Sequence, residues 1–270
     1  MKKVTLYYFT DPICSYCWAL EKQLNKFLFK YEKYIDIHYI FGGLLESWEQ
    51  FEDQANGISR AEDVRNHWRE VQEKYDMPMD GSLWLHDPIL SSYPASQMLN
   101  AVEHLYPERK KYVLRAVREA VFVFDRNIGK REILEEILAE QKMDVQQVMD
   151  YAFKDSGHDL LEEDFKAMEQ FHVRSFPTLI FTNGHKTITL EGVVEEERMA
   201  MVLQEVSGEA LVPDKIPSLP VALQEKERLY YPEIEILYNI SKKEIPDFIK
   251  LHAPDAVVKE FYNGEYIERA

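Results

Sequence analysis

Residues 9–18 read FTDPICSYCW and hold the only two cysteines of the 270-residue chain, Cys14 and Cys17. Two residues separate the cysteines, so the motif is CxxC. Three roles fit such a pair in principle: a working redox couple, half of a metal site, or two buried and inert thiols. The segments on either side of the motif help to distinguish between these roles.

The flanking segments predict a βαβ unit. Residues 3–9 (KVTLYYF) are β-branched and aromatic and stop at an Asp-Pro pair, which predicts a buried strand. Residues 17–33 carry apolar side chains at the spacing of an amphipathic helix. Residues 34–43 (YIDIHYIFGG) predict a second strand, parallel to the first. The CxxC motif therefore falls at the N-terminus of the connecting helix.

Beyond this unit the pattern changes twice. Helical spacing dominates residues 46–172, where strand patterns are missing. Strand signals return around SFPTLIF and KTITLEG, joined by a turn at Asn183-Gly184, and a closing helix ends near Gly208. The predicted fold is α/β: a thioredoxin-like sheet from residues 1–45 and 173–208, interrupted by a helical insertion domain at residues 46–172.

Residues 209–270 are a small α+β C-terminal extension that the sheet does not need. Residues 211–220 contain three prolines and are typical of a linker. Ser241 and Glu244 have capping-box spacing ahead of a short helix, and Asn263-Gly264 predicts a hairpin, so the unit could be a small winged module. The extension holds eight basic and twelve acidic residues, which argues against a DNA-reading wing.

The composition excludes several classes of partner. The formal net charge is -16, so the chain lacks the basic surplus that nucleic acid or an anionic membrane attracts. No run of about twenty apolar residues predicts a spanning helix. The N-terminal apolar run is short and polar-interrupted, unlike a signal peptide, and we expect a cytoplasmic protein.

The position of the cysteines favours redox chemistry. A structural zinc site usually needs two ligand pairs, and no second CxxC exists. A helix N-terminus stabilises a thiolate, so we expect Cys14 to be the exposed, low-pKa nucleophile and Cys17 to be the buried resolving thiol. The two cysteines carry the electrons, so no cofactor and no metal are expected. No histidine lies between them, which predicts a weakly oxidising couple.

A second part of the site is expected at Pro177. A cis Phe176-Pro177 bond would turn the backbone of Phe176 towards the CxxC motif, where it could bind an extended substrate. The insertion also carries aromatic and imidazole side chains that could line a substrate groove, although residues of this kind more often pack in a core. They are His67, Trp68, Trp84 and His86.

These motifs resemble the DsbA-like branch of the thioredoxin fold, and in particular the FrnE-like predicted dithiol-disulfide isomerases. The resemblance covers residues 3–208 and is carried by DPICSYCWALE, FGGLL, LWLHDPILSSYPASQ and the FPT triplet. It implies a cytosolic thiol-disulfide oxidoreductase or isomerase acting on protein or small thiol substrates. It further implies that Cys14 and Cys17 are the redox pair, Pro177 is the cis-proline and Asp11 flanks the site. The implied substrate-binding residues are Tyr16, Trp18, Phe176 and Thr178.

Two other families bear on function. The extension is similar to the tail of the SpxH (YjbH) adapters, which are themselves DsbA-like. That similarity implies an alternative function, in which the chain binds the Spx regulator and promotes its degradation by the ClpXP protease. The 2-hydroxychromene-2-carboxylate isomerases share the helical insert but generally have serine at the nucleophile position, so Cys14 argues against that group.

Overall fold

The fold is organised around a four-stranded mixed sheet. A computed structural model describes residues 3–49, 51–261 and 264–270. The strands are β1 (Val4–Thr10), β2 (Ile35–Phe41), β3 (Thr178–Thr182) and β4 (Thr187–Glu191), in the spatial order β2-β1-β3-β4. β1 runs parallel to β2, and the other two pairs are antiparallel. This is the predicted thioredoxin-like sheet.

The helix that follows β1 and the helix that follows β4 share one hydrophobic core with the sheet. Helix α1 (Ser15–Tyr31) follows β1, and a short 3-10 turn at Glu32–Tyr34 joins it to β2. Its buried side, which includes Trp18, Leu24 and Phe27, faces the core, as its apolar spacing predicts. A later helix, Glu196–Ser207, follows β4 and ends at Gly208, whose φ of 71° suits glycine.

In the described residues between β2 and β3, seven α-helices occupy the predicted insertion. They are α2 (Ala61–Tyr75), α3 (Leu83–His86), α4 (Tyr93–Leu105), α5 (Lys110–Phe122), α6 (Arg131–Glu140), α7 (Val145–Phe153) and α8 (Asp155–Phe171), with a 3-10 turn at Pro107–Arg109. The helix Glu196–Ser207 is therefore α9. One hydrophobic core runs through the sheet and the insertion. Trp18 of α1 stacks on Phe122 of α5, with ring centroids 5.6 Å apart.

The extension has its own small sheet. Its elements are α10 (Leu219–Lys226), β5 (Arg228–Tyr230), α11 (Tyr231–Tyr238), α12 (Ile245–His252), β6 (Ala256–Phe261) and β7 (Gly264–Arg269), with strand order β5-β7-β6. Ser241 was predicted to cap the following helix, but it does not. Its hydroxyl and amide bond the Glu244 carboxylate in a preceding turn, and the helix begins at Ile245. The predicted Asn263-Gly264 turn includes Asn263, which lies outside the described residues.

The extension docks on the body of the protein. Tyr230 and Tyr266 belong to the main core, whereas the apolar residues of α10 to α12 form a second cluster of their own. The edge of the Tyr230 ring meets Trp18, with centroids 5.7 Å apart. Within the described residues, no helix is both long and apolar enough to cross a membrane.

Candidate functional site

Cys14 occupies the N-cap position of helix α1. Its Sγ accepts a hydrogen bond from the Cys17 amide at 3.2 Å, and its carbonyl accepts one from the Trp18 amide at 3.1 Å. The two cysteines form a disulfide, with Cα atoms 5.2 Å apart. This confirms that the motif starts the helix, where free amides and the helix dipole favour a thiolate.

Cys14 is less exposed than expected. Its exposed fraction is 4 %, and Cys17 is fully buried. Cys14 is therefore the more exposed of the two cysteines, as predicted, but it is not an exposed residue. The reason is that Cys14 lines a cavity that is enclosed by residues of the insertion and by residues 174–176, which precede β3. Cys17 does not line that cavity. Cys14 is therefore the cysteine that a ligand can approach.

The cavity has a volume of about 700 Å³, a size typical of small-molecule and peptide sites. Its wall comes from α1, the insertion and the loop before β3, and includes several aromatic side chains. The aromatic side chains are Tyr16, Trp48, Phe51, Trp68, Trp84 and Phe176. Two roles were possible for Trp68 and Trp84 of the insertion, lining a substrate groove or packing in a core. Trp68 and Trp84 have both, because each lines the cavity while only 1 % exposed.

The insertion also brings an imidazole to the CxxC motif. His67 Nε2 lies 2.9 Å from the hydroxyl of Ser15, which is the first residue between the cysteines. Burial lowers the pKa of His67, although Asp53 and Glu70 oppose the shift. No local pattern links positions so far apart, so sequence reasoning missed this contact. His86 lies elsewhere, hydrogen-bonded to Asp125 at 2.8 Å on the surface.

The loop before β3 forms the opposite wall. The Phe176-Pro177 bond is cis, as expected, and Phe176 lines the cavity. Its ring lies directly over Gly42, where a Cβ atom would overlap it. Pro177 is buried, and its carbonyl accepts a hydrogen bond from the Gly192 amide at 2.8 Å.

Two of the expected substrate-binding residues are not at the cavity. Trp18 is fully buried, and its Nε1 donates a hydrogen bond to the Pro78 carbonyl at 2.7 Å. Thr178 is 1 % exposed, and its hydroxyl bonds the Ser175 carbonyl at 2.8 Å. Both side chains support the site from behind, because packing and hydrogen bonding leave them no surface for a substrate. Tyr16, by contrast, lines the cavity next to Cys14.

Asp11 holds the backbone behind the disulfide. Its buried carboxylate accepts hydrogen bonds from the Ile13 amide at 3.0 Å, the Leu44 amide at 2.7 Å and the Ser92 hydroxyl at 3.0 Å. Burial raises the pKa of Asp11 to about 6, against the effect of these donors. In the described part of the chain, no group of three or more His, Cys, Asp or Glu side chains could hold a metal ion.

Comparisons with known proteins agree with this architecture. A family model described as thioredoxin matches residues 7–201. The ClpXP adapter protein SpxH of Halalkalibacterium halodurans is 29% identical, over 92% of this chain and 82% of that protein. A match over 92% of this chain includes more residues than the 208 that precede the extension, so the similarity reaches into the extension.

Solved structures resemble the body of the chain. The cytosolic disulfide reductase DsbM from Pseudomonas aeruginosa is 17% identical with a TM-score of 0.62, covering 76% of this chain and 100% of that one. A thioredoxin-like oxidoreductase from Silicibacter pomeroyi DSS-3 is 10% identical with a TM-score of 0.51, covering 77% and 89%. At these identities the likeness shows the fold alone.

Proposed function

Since this chain belongs to the thioredoxin family, we propose that it is a cytoplasmic thiol-disulfide oxidoreductase with Cys14 as the nucleophile and Cys17 as the resolving thiol. One observation carries the proposal: Cys14 caps helix α1 and is also the cysteine that lines the aromatic cavity. A thiolate in that position is stabilised by the helix and accessible to a ligand.

The reaction needs only the two cysteines. In the reduced protein, the Cys14 thiolate attacks a substrate disulfide, forms a mixed disulfide and releases one substrate thiolate. The Cys17 thiolate then attacks the Cys14 sulfur, releases the second substrate thiolate and leaves the Cys14–Cys17 disulfide. The substrate gains two electrons and the protein loses two. Exchange in the opposite direction, or isomerisation of a substrate disulfide, uses the same mixed disulfide.

The cavity walls bind and orient the substrate. Phe176 and Tyr16 line the cavity together with Cys14, and in this proposal they contact an extended protein segment or a small disulfide. The hydrogen bond between Ser15 and His67 holds the first turn of α1, between the two cysteines, against the insertion.

Insulin reduction by dithiothreitol tests this function. The wild-type protein should accelerate precipitation of the insulin B chain, and Cys14→Ser should not. Cys17→Ser should instead accumulate a mixed disulfide on Cys14, which non-reducing mass spectrometry detects. A wild-type protein that neither accelerates insulin reduction nor forms a mixed disulfide would exclude the oxidoreductase function.

A second function has support of its own. The similarity to the SpxH adapter of H. halodurans reaches into the extension, which a plain oxidoreductase does not need. We propose as the alternative that the chain binds the Spx regulator and promotes its degradation by ClpXP. Reconstituted degradation assays separate the two functions: an adapter should retain its effect in the Cys14→Ser/Cys17→Ser double variant, which has no redox activity.

A further inference from the structure

Two cavities flank the ring of Phe176. The first is the site cavity above Cys14, with a volume of about 700 Å³, and the second has a volume of about 520 Å³. Gly42, on which the Phe176 ring lies, lines the second cavity. The two cavities are therefore neighbours, with the Phe176 ring in the wall of the first and Gly42 in the wall of the second.

Arg174 lines both cavities. Its side chain is exposed, and no ion pair or hydrogen bond joins it to any other residue in the part of the chain that the structure describes. This is notable in a protein with a net charge of -16, in which carboxylates greatly outnumber basic groups. An unpaired guanidinium at a binding site presents a fork of donors that matches a carboxylate.

The other charged groups along the cavities do not neutralise Arg174. Asp53 accepts hydrogen bonds from the Asn56 amide and side chain, at 3.1 and 2.7 Å, and Glu52 accepts one from Gln54 at 3.2 Å. Glu169 lines the second cavity but forms no ion pair with Arg174. The two imidazoles, His67 and His172, lie one in each cavity. The acidic groups of the first cavity are thus engaged locally, whereas Arg174 has no partner among the residues that the structure describes.

We propose that Arg174 binds a carboxylate of the substrate, so that the site prefers extended polypeptide segments with an acidic residue close to the reacting cysteine. The inference rests on the proposed oxidoreductase function. The position of Arg174 between the cavities favours a polypeptide over a compact small molecule, because only an extended chain occupies both. The chemical step is unchanged: Cys14 still attacks the peptide sulfur, and Arg174 orients the segment.

Paired synthetic peptides test this preference. Each peptide carries one cysteine activated as a neutral pyridyl disulfide, and the two members of a pair differ by Glu or Gln at one position near that cysteine. The rate at which the reduced protein releases pyridinethione should be about fivefold higher for at least one Glu peptide than for its Gln partner. Arg174→Gln should abolish this difference, so that each Glu peptide reacts no faster than its Gln partner.

Lys166→Gln is the matched control, because Lys166 is an exposed cation of α8 that lines neither cavity. It should keep the preference for Glu. Two results would overturn the role of Arg174 and leave the oxidoreductase function intact. One is an equal rate for the Glu and Gln members of every pair, and the other is an equal loss of the Glu preference in the Lys166 and Arg174 variants. A wild-type protein that reacts with no peptide would overturn both. If oxidised glutathione reacts faster than any peptide, the substrate is a small acidic disulfide and the inference of a polypeptide substrate is wrong.

Discussion

The guanidinium of Arg115 and the carboxylate of Glu233 form a buried, bidentate ion pair, with N–O distances of 2.7 and 2.8 Å. Arg115 belongs to α5 of the insertion and Glu233 to α11 of the extension. Arg115 also lies over the Trp18 ring, at 4.9 Å from its centroid. Trp18 directly follows Cys17, so the extension packs against the residues immediately behind the redox motif.

Glu233→Ala should destabilise the protein strongly. The substitution removes the Glu233 partner of both Arg115 Nη atoms and leaves this buried guanidinium with its Nε bond to Glu119. Removing one partner of a buried ion pair costs about 3–5 kcal/mol. The free energy of unfolding in urea measures the loss. Lys242→Ala is the control, because the Lys242–Asp76 pair has side chains that are 50% and 56% exposed and should contribute less than about 1 kcal/mol. Similar losses in both variants would contradict a structural role for the buried pair.

Truncation after Gly208 should act in the same direction. It removes Glu233 and also Tyr230, whose ring packs in a T-shaped contact with Trp18. We therefore expect a lower melting temperature, with redox activity reduced in proportion to the unfolded fraction. A truncated protein with wild-type stability and activity would instead show that the extension serves only a partner.

Cys14 should alkylate faster than Cys17 in the reduced protein. It caps α1 and lines the cavity, so its thiolate is both stabilised and accessible, whereas Cys17 is buried. We expect a thiol pKa for Cys14 below the usual value of about 8.5. Mass spectrometry after timed iodoacetamide treatment across a pH series gives both rates. Equal rates for the two thiols, or an unshifted Cys14, would count against a catalytic role.

Asp11 should make the protein less stable as the pH rises from about 4 to 6. Its pKa is raised to about 6 by burial, so in this range the folded chain keeps a proton that the unfolded chain has lost. The stability lost through this group is about 3 kcal/mol at most and is complete above pH 6. In Asp11→Asn this loss is absent, so the stability of the variant relative to wild type should increase across the same range in urea titrations. A constant difference would contradict the raised pKa.

The sequence predicted the parts of the fold that local patterns encode. Both first strands and α1 are close to their predicted positions, because alternation and helical spacing are properties of neighbouring residues. Trp18 was expected at the substrate from the resemblance, whereas in the structure its side chain is fully buried. It is buried by Phe122 and Tyr230, which come from the insertion and the extension. The contact of His67 with Ser15 and the position of Arg174 between two cavities likewise depend on tertiary packing.

Gly42→Ala should impair the site by displacing Phe176. The new Cβ would overlap the tip of the Phe176 ring, and a ring tip can move at small cost in stability. We expect insulin reduction to slow several-fold, while the melting temperature changes little. A double-mutant cycle supplies the control: in a Phe176→Ala background the overlap no longer exists, so Gly42→Ala should have no further effect. Additive losses in the double variant would mean that Gly42 acts on the site through something other than Phe176.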